Sequence, residues 1–296
     1  MKQKAVTGSR MKINVIVSTY NWPQALALVL DSLAAQTDRN FEVLVADDGS
    51  TRETGEMLAA RAAGFPVPLR HVWQEDTGFR LAAIRNRTVA AGRGDYLIFL
   101  DGDCAVLPDF VATHRRLAEK GWFVAGNRVL LGEDFTARVL ASGEPFYGWS
   151  VARFLKARLE GGINRVLPFL KLPVAFGRKL QPRTWQKATG CNLALWRDDF
   201  YRVNGFDESF VGWGHEDSEF AGRLINAGIF RKDGRFAAPV LHLWHRTQDR
   251  GRAAENMRRV REHLKKKLTR AEVGIDSHQP VAERIAGGPG QDFATD

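Results

Sequence analysis

Val15-Ile16-Val17-Ser18-Thr19-Tyr20-Asn21 is an apolar, β-branched run that breaks into hydroxyls and an amide. It belongs to a stretch, residues 13–18, whose residues are apolar without alternation, the mark of a strand buried on both faces. The figure recurs twice. Val45-Ala46-Asp47-Asp48-Gly49-Ser50-Thr51 closes a second such run (41–46), and Phe99-Leu100-Asp101-Gly102-Asp103 closes another (96–100). Residues 69–73 read as a further strand. Helical patterns lie between and after them at 23–36, with Asn21 placed to cap it, at 51–63, at 80–91, and from Pro108 to 120. Strands alternating with helices of this length predict an α/β fold with a mostly parallel central sheet flanked by helices. Ligands of such sheets bind beyond the carboxyl ends of the strands, which is where the polar residues fall.

The chain has 296 residues, 44% hydrophobic and 26% charged, enough for one large α/β domain and unlike a disordered, collagen-like or mucin-like sequence. Cys104 and Cys191 stand far apart with no paired spacing, which argues against a zinc site or a disulfide scaffold and suits a reducing compartment. No apolar run approaches the roughly 18–20 residues that span a bilayer. Residues 1–10 are polar and lack the apolar segment of a signal peptide, and Met11 serves equally well as a start. A cytoplasmic location is expected.

The formal charge of +9 is concentrated. Residues 141–190 carry nine Lys/Arg against two Glu, and residues 246–270 carry ten against three acids, so each segment nets +7 on an otherwise acidic body. Solvated helix faces, nucleic acid and an anionic membrane are the candidate explanations. In the first segment the cations interleave with Phe146, Tyr147, Trp149, Phe154, Leu155, Leu159, Leu167, Phe169, Leu170 and Phe176. That mixture fits a helix lying in a membrane interface better than a groove that tracks nucleic-acid phosphates.

None of the strand ends carries a G-x-G-x-x-G or G-x-x-x-x-G-K-[ST] loop, which disfavours a dinucleotide-binding Rossmann domain and a P-loop. Ser18, Thr19, Tyr20, Asn21 and Asp48 instead offer hydroxyls, an amide and a carboxylate suited to the edge of a base and a ribose diol. Asp101 and Asp103, one glycine apart at a strand end, are hard-oxygen donors for Mn²⁺ or Mg²⁺, an ion able to bridge a diphosphate. Alone, D-G-S is a turn and D-x-D a common surface pattern; their order and placement make them specific.

These three motifs resemble those of the family 2 glycosyltransferases, whose nucleotide-sugar half would span residues 12–130. The resemblance implies a Rossmann-like GT-A fold, a UDP-sugar donor bound through Ser18, Thr19, Tyr20, Asn21 and Asp48, Asp101 and Gly102 beside the ribose or sugar, and Asp103 as metal ligand. Gly78-Phe79-Arg80 with Arg85-Asn86 is similar to the stretch that reaches the donor phosphates and orients the D-x-D loop; a helix N-terminal salt bridge is the plainer reading of Arg80.

Farther along, Gly190-Cys191-Asn192, Val203-Asn204-Gly205-Phe206-Asp207-Glu208 and Gly212-Trp213-Gly214-His215-Glu216-Asp217 resemble the galactosyltransferase-like region of chondroitin polymerase modules and animal β-1,4-galactosyltransferases. By that resemblance residues 186–250 form the acceptor and catalytic half. Asp217 is then the base, Glu216 contacts the donor sugar or holds the loop, and Trp213, Gly214 and Asn192 meet the acceptor. An acidic first helical turn is the bland alternative for Glu216-Asp217, yet the same position, at a positive helix end, suits an ionised base for direct, inverting displacement. In H-x-x-H, His245 stands before Arg246-Thr247-Gln248-Asp249 where relatives complete the metal site, and His242 where some relatives add a ligand.

The expectation is therefore a single domain over 12–270, with a helical basic-aromatic insertion at 141–185 and a flexible tail at 271–296. It would be a metal-dependent inverting transferase using UDP-sugar, acting on a saccharide or lipid-linked saccharide of the bacterial cell surface such as lipopolysaccharide, peripheral on the inner membrane face, with no nucleic-acid partner. Rival readings fit less well. A haloacid-dehalogenase-type phosphohydrolase needs a Thr or Val soon after its D-x-D, where this chain has Cys104-Ala105-Val106. A non-catalytic nucleotide-sugar or membrane binder has no use for Asp217, and a nucleic-acid binder would carry a reading module. His215-Glu216-Asp217-Ser218-Glu219 lacks the second His of a zinc protease.

Overall fold

The computed structural model of the chain describes residues 11–173, 177–246 and 250–278. In chain order the first elements are β1 (Ile13–Thr19), α1 (Pro23–Ala34), β2 (Phe41–Asp47), α2 (Arg52–Ala62), β3 (Leu69–Trp73), α3 (Leu81–Ala91) and β4 (Tyr96–Asp101). There follow β5 (Cys104–Val106), α4 (Phe110–Leu117), β6 (Trp122–Ala125), β7 (Arg128–Leu130), α5 (Glu133–Ser142) and α6 (Val151–Leu159). The rest are β8 (Asn192–Trp196), α7 (Arg197–Arg202), α8 (Glu216–Asn226), β9 (Phe230–Asp233), β10 (Val240–His242) and α9 (Ala253–Lys265).

Seven strands form the central sheet in the order β3-β2-β1-β4-β8-β6-β9. Every residue of β1 is buried, the polar Asn14 included, as in a strand covered on both faces. β1 pairs in parallel with β2 and β4, and β2 with β3. The register sets Ser18 opposite Asp101 and Thr19 opposite Asp47, so the polar strand ends stand side by side. β8 then enters antiparallel to both β4 and β6, which is why the sheet is mostly and not wholly parallel.

Val15 and Val17 face Leu26, Leu30, Leu58 and Phe110 on one side, and Ile16 faces Ile84, Phe99, Phe200, Phe206 and Phe220 on the other. The buried polar residue Asn14 is engaged within this core. Asn14 donates to Glu42 Oε2 and accepts from Gly94 N–H at 2.6 Å, closing the loop between α3 and β4.

A second sheet, β5-β10-β7, lies beside the first. β10 runs antiparallel to β5 and parallel to β7, setting His242 opposite Cys104. Its outer apolar side is covered by α5, α6 and the turns that follow, through Phe135, Phe146, Phe154, Ile163 and Phe169 against Val129, Leu131, Leu241 and Leu243. The insertion is thus helical, but Phe146, Phe154 and Phe169 are core, not a free interfacial face. Phe176 lies outside the described residues, as do Thr247, Gln248 and Asp249.

Two more expectations are corrected. Asn21 does not cap α1: the residue preceding the helix is Trp22. Asn21 sits one position earlier in left-handed backbone (φ 45°), and its side-chain oxygen accepts from Thr51 N–H at 2.8 Å, tying the first strand end to the second. Residues 271–278, expected to belong to a flexible tail, are instead packed on the fold. Ala271 and Ile275 are buried, Glu208 N–H donates to Val273 O, and His278 Nε2 lies 2.5 Å from Glu208 Oε1. Residues 279–296 are outside the described part. Among the described residues no helix is long and apolar enough to cross a membrane.

Candidate active site

The strand ends of β1, β2, β3 and β4 bound one side of the site. Asp48 is buried and gripped by Gln74 Nε2 (2.6 Å) and the backbone N–H of Arg80 (2.8 Å). Burial lifts its pKa to about 6 against the pull of those donors. Tyr20 is half exposed and donates its hydroxyl to Asp76 Oδ2 at 2.9 Å. Gln74 and Asp76 were not foreseen, although both directly follow β3, whose end joins the same edge. Arg80 precedes α3, and its side chain makes no ion pair among the described residues. Arg80 is half-buried, and its charge acts on the carboxyls of Asp48 and Glu208.

Arg85 is different. Its side chain is 1% exposed, so it does not reach donor phosphates as a free cation. Nε donates to Ser18 Oγ (3.1 Å), Nη2 to Asp101 Oδ1 (2.8 Å) and Nη1 to Glu216 Oε1 (3.4 Å). One guanidinium thus couples the first strand end, the D-x-D turn and the start of α8. Burial raises the Asp101 carboxyl against the pull of Arg85. Glu216 is pushed up to about 7, first by burial and then by the charge of Asp217.

α8 is entered through left-handed backbone at Gly212 (φ 80°), Gly214 (φ 105°) and His215 (φ 73°), a path suited to glycine that points the first helical turn into the site. Asp217 Oδ2 accepts from Gly190 N–H at 3.0 Å and Oδ1 from Ser218 N–H at 2.6 Å, bonds that fix the carboxylate's orientation in the first turn of α8. Gly190 has no room for a side chain: a Cβ there would stand 2.7 Å from Arg85 Nη1. Its neighbour Asn192 was expected to meet the acceptor, and the structure corrects that. Asn192 is fully buried, donates to Ala238 O (2.7 Å) and Asn127 O (3.3 Å), and lies 3.3 Å from His114 Nε2, so no surface remains for a ligand. Trp213 is partly exposed, with the Arg250 guanidinium 4.8 Å over its ring. Asn256 of α9 donates to Gly214 O at 2.9 Å, so the basic helix braces this loop.

Asp103, His242 and His245 offer one ligand atom each, all within 4.8 Å of one another. Nε2 of His245 lies 3.3 Å and Nε2 of His242 3.6 Å from Asp103 Oδ2. Nδ1 of His245 lies 2.8 Å from Arg246 O. A carbonyl only accepts, so that nitrogen carries the proton and Nε2 is left with its lone pair free for a metal. One carboxylate and two imidazoles fit Mn²⁺ readily and Mg²⁺ less so. Burial lowers the His242 pKa, favouring the neutral, ligating form.

Cys104 and Cys191, distant in sequence, meet beneath the D-x-D turn as free, buried thiols. Burial, the Cys191 thiol and Asp103 together push the Cys104 pKa well up, which keeps it an inert thiol.

The family model described as "Glycosyl transferase family 2" matches residues 14–177, more than half of the chain. The chain belongs to that family. A second model, the "N-terminal domain of galactosyltransferase", matches residues 174–242 of this family 2 glycosyltransferase. Validoxylamine A glucosyltransferase of Streptomyces hygroscopicus subsp. jinggangensis is 33% identical over 230 residues, 73% of this chain and 52% of that protein. Escherichia coli chondroitin synthase is 28% identical over 239 residues, 74% of this chain and 33% of that protein. The chain spans about half or less of the length of these curated relatives. Among solved structures, S. aureus TarS 1–349 in complex with UDP-GlcNAc superposes with a TM-score of 0.63 at 16% identity, covering 90% of this chain and 69% of that one. The family 2 assignment and the GT-A type of fold read from the three strand-end motifs both stand.

Proposed function

We propose that this family 2 glycosyltransferase moves a sugar from UDP-sugar to a hydroxyl of a saccharide acceptor by direct, inverting displacement. The observation that carries the reading is the Arg85 bridge, which ties the D-x-D turn to the helix bearing Glu216 and Asp217. Ser18, Thr19, Tyr20, Asn21 and Asp48 bind the nucleoside, Arg80 faces the diphosphate, and Asp101 and Gly102 shape the ribose and sugar subsite. Asp103, His245 and His242 would hold Mn²⁺ or Mg²⁺, which supplies charge neutralisation for the departing diphosphate. Asp217 takes the acceptor proton, and the two backbone N–H donors on its oxygens hold it aimed for that task. Glu216 contacts the donor sugar, protonated or paired with Arg85. Trp213 and Gly214 form the acceptor platform.

TarS holds UDP-GlcNAc in a fold of this kind, which supports UDP as the carrier. The relatedness to chondroitin synthase supports an acceptor that is a growing or surface saccharide. We place the reaction in the cytoplasm at the inner face of a bacterial membrane, on a lipopolysaccharide or other lipid-linked acceptor; two free, buried cysteines fit a reducing compartment. Thermal-shift binding of UDP, GDP and dTDP, each with Mn²⁺ or a chelator, tests the donor site. The expected result is stabilisation by UDP that requires Mn²⁺ and disappears in Asp103→Ala. No response to any nucleotide would overturn the metal and donor assignments together.

A further inference from the structure

We infer that the outer face of α6, with the segment 167–172 beside it, is a docking surface for an anionic phospholipid bilayer. The inference deepens the lipid-linked acceptor reading and rests on it for its purpose, but not on the catalytic assignments.

The aromatic residues that would make an interfacial helix are not available for that task. Phe146, Phe154 and Phe169 are buried, and Phe154 stacks on Phe169 with ring centroids 3.9 Å apart. Aliphatic side chains are left outside instead. Val151, Leu155 and Leu159 recur every fourth residue along α6, so they form one ridge on its solvent side. Leu167, Leu170 and Leu172 continue the apolar surface, and the Phe154–Phe169 stack fastens their segment against α6. Leu159 is 80% and Leu167 60% exposed, far beyond what single surface leucines need.

Cations surround the ridge. Residues 151–173 contain Arg153, Lys156, Arg158, Arg165 and Lys171 against Glu160, and of the five cations Arg153, Lys156 and Lys171 pair with Glu144, Glu160 and Asp109. Arg158 and Arg165 make no ion pair among the described residues. Aliphatic side chains flanked by long cationic ones match the boundary between acyl chains and acidic headgroups. The same charge argues against a second copy of the chain as the occupant, because two such faces would bring like charges together. The face also lies well for its purpose. The insertion covers one side of the small sheet, and that sheet sets His242 beside the D-x-D turn, so a docked bilayer lies one layer of structure away from the reacting groups.

Flotation of the full chain with vesicles tests this without any turnover, using phosphatidylcholine alone or with phosphatidylglycerol added. The expected result is binding to the mixed vesicles at low salt, weakened roughly tenfold when salt screens the headgroups. Leu155→Ser/Leu159→Ser/Leu167→Ser should lower it by a further order of magnitude, on the order of the loss expected from three exposed anchors. Arg158→Glu/Arg165→Glu should abolish the preference for phosphatidylglycerol, and both variants should keep the parent's circular dichroism and unfolding midpoint. Absence of binding to either vesicle overturns the inference, as does binding untouched by the leucine changes, which would point to α9. A concentration-dependent dimer that the leucine changes dissolve, without vesicle binding, would also overturn it in favour of self-association. The UDP–Mn²⁺ thermal shift is read separately, so failure of docking and failure of the transferase reading are told apart.

Discussion

Asp217 and Arg85 carry the two sharpest expectations at the residue scale. Asp217→Asn keeps the shape and the acceptor for Gly190 N–H but removes the basicity, so turnover should fall by about 10²–10⁴-fold while UDP–Mn²⁺ binding persists. Steady-state kinetics beside a binding titration reads this, and equal loss of both would show a structural role. Arg85→Met leaves Asp101 and Glu216 without their buried cation, and breaking a buried pair on one side costs about 3–5 kcal/mol. Urea unfolding should show a loss of that size; a loss below about 1 kcal/mol would place the pair in a solvated setting. The same residues show where the sequence was mute. Asp103 and Asp217 stand out through the order and placement of their motifs, although a D-x-D turn and an acidic first helical turn each have plain uses alone. Arg85 and Gly190 do not stand out, since an arginine inside a helix and a glycine in a loop look ordinary until the fold closes them on each other.

At the scale of elements, β1 to β4 and the helices between them were legible because continuous apolar runs have one stable arrangement, a parallel sheet buried on both faces. α8 opens at Glu216, with Glu216-Asp217 as the acidic first helical turn. The three- and four-residue strands β5, β6, β7, β9 and β10 were not legible: they are too short for periodicity, and distant pairing defines them. The insertion is helical and basic as expected, but its sequence does not separate the buried Phe146, Phe154 and Phe169 from the exposed Leu155, Leu159, Leu167 and Leu170. Both sides are apolar, and only the contact with the small sheet tells them apart. That contact makes a testable contrast. Phe154→Ala should cost about 3–5 kcal/mol in chemical unfolding. Leu159→Ser, on the open side of the same helix, should stay within about 0.5 kcal/mol of the parent, and similar losses from both would refute the assignment of faces.

For the molecule as a whole, the crowding of carboxylates beyond the strand ends is a pH-dependent load on stability. Glu216 binds its proton more tightly in the folded chain, at about 7 against an ordinary 4.5, because of burial and Asp217. Its contribution is therefore fully present below about pH 4.5 and is lost as the pH rises through about 7. Asp48, lifted to about 6, acts in the same direction. Urea midpoints of the parent should fall across that window, and those of Glu216→Gln should fall less; identical profiles would show that the Glu216 carboxyl titrates normally. A catalyst that tolerates this load keeps its negative charge ready for a cationic or proton-bearing visitor.

β10 lies between β5 and β7, although both are made long before it. During synthesis those two strands wait with a gap where their shared partner belongs, and Asp103 waits without its histidines. The grouping of Asp103 with His242 and His245 therefore forms only after the first turn of α8, with Asp217, has been made. A nascent chain holding only the nucleotide half has one of the three groups that we propose hold the ion.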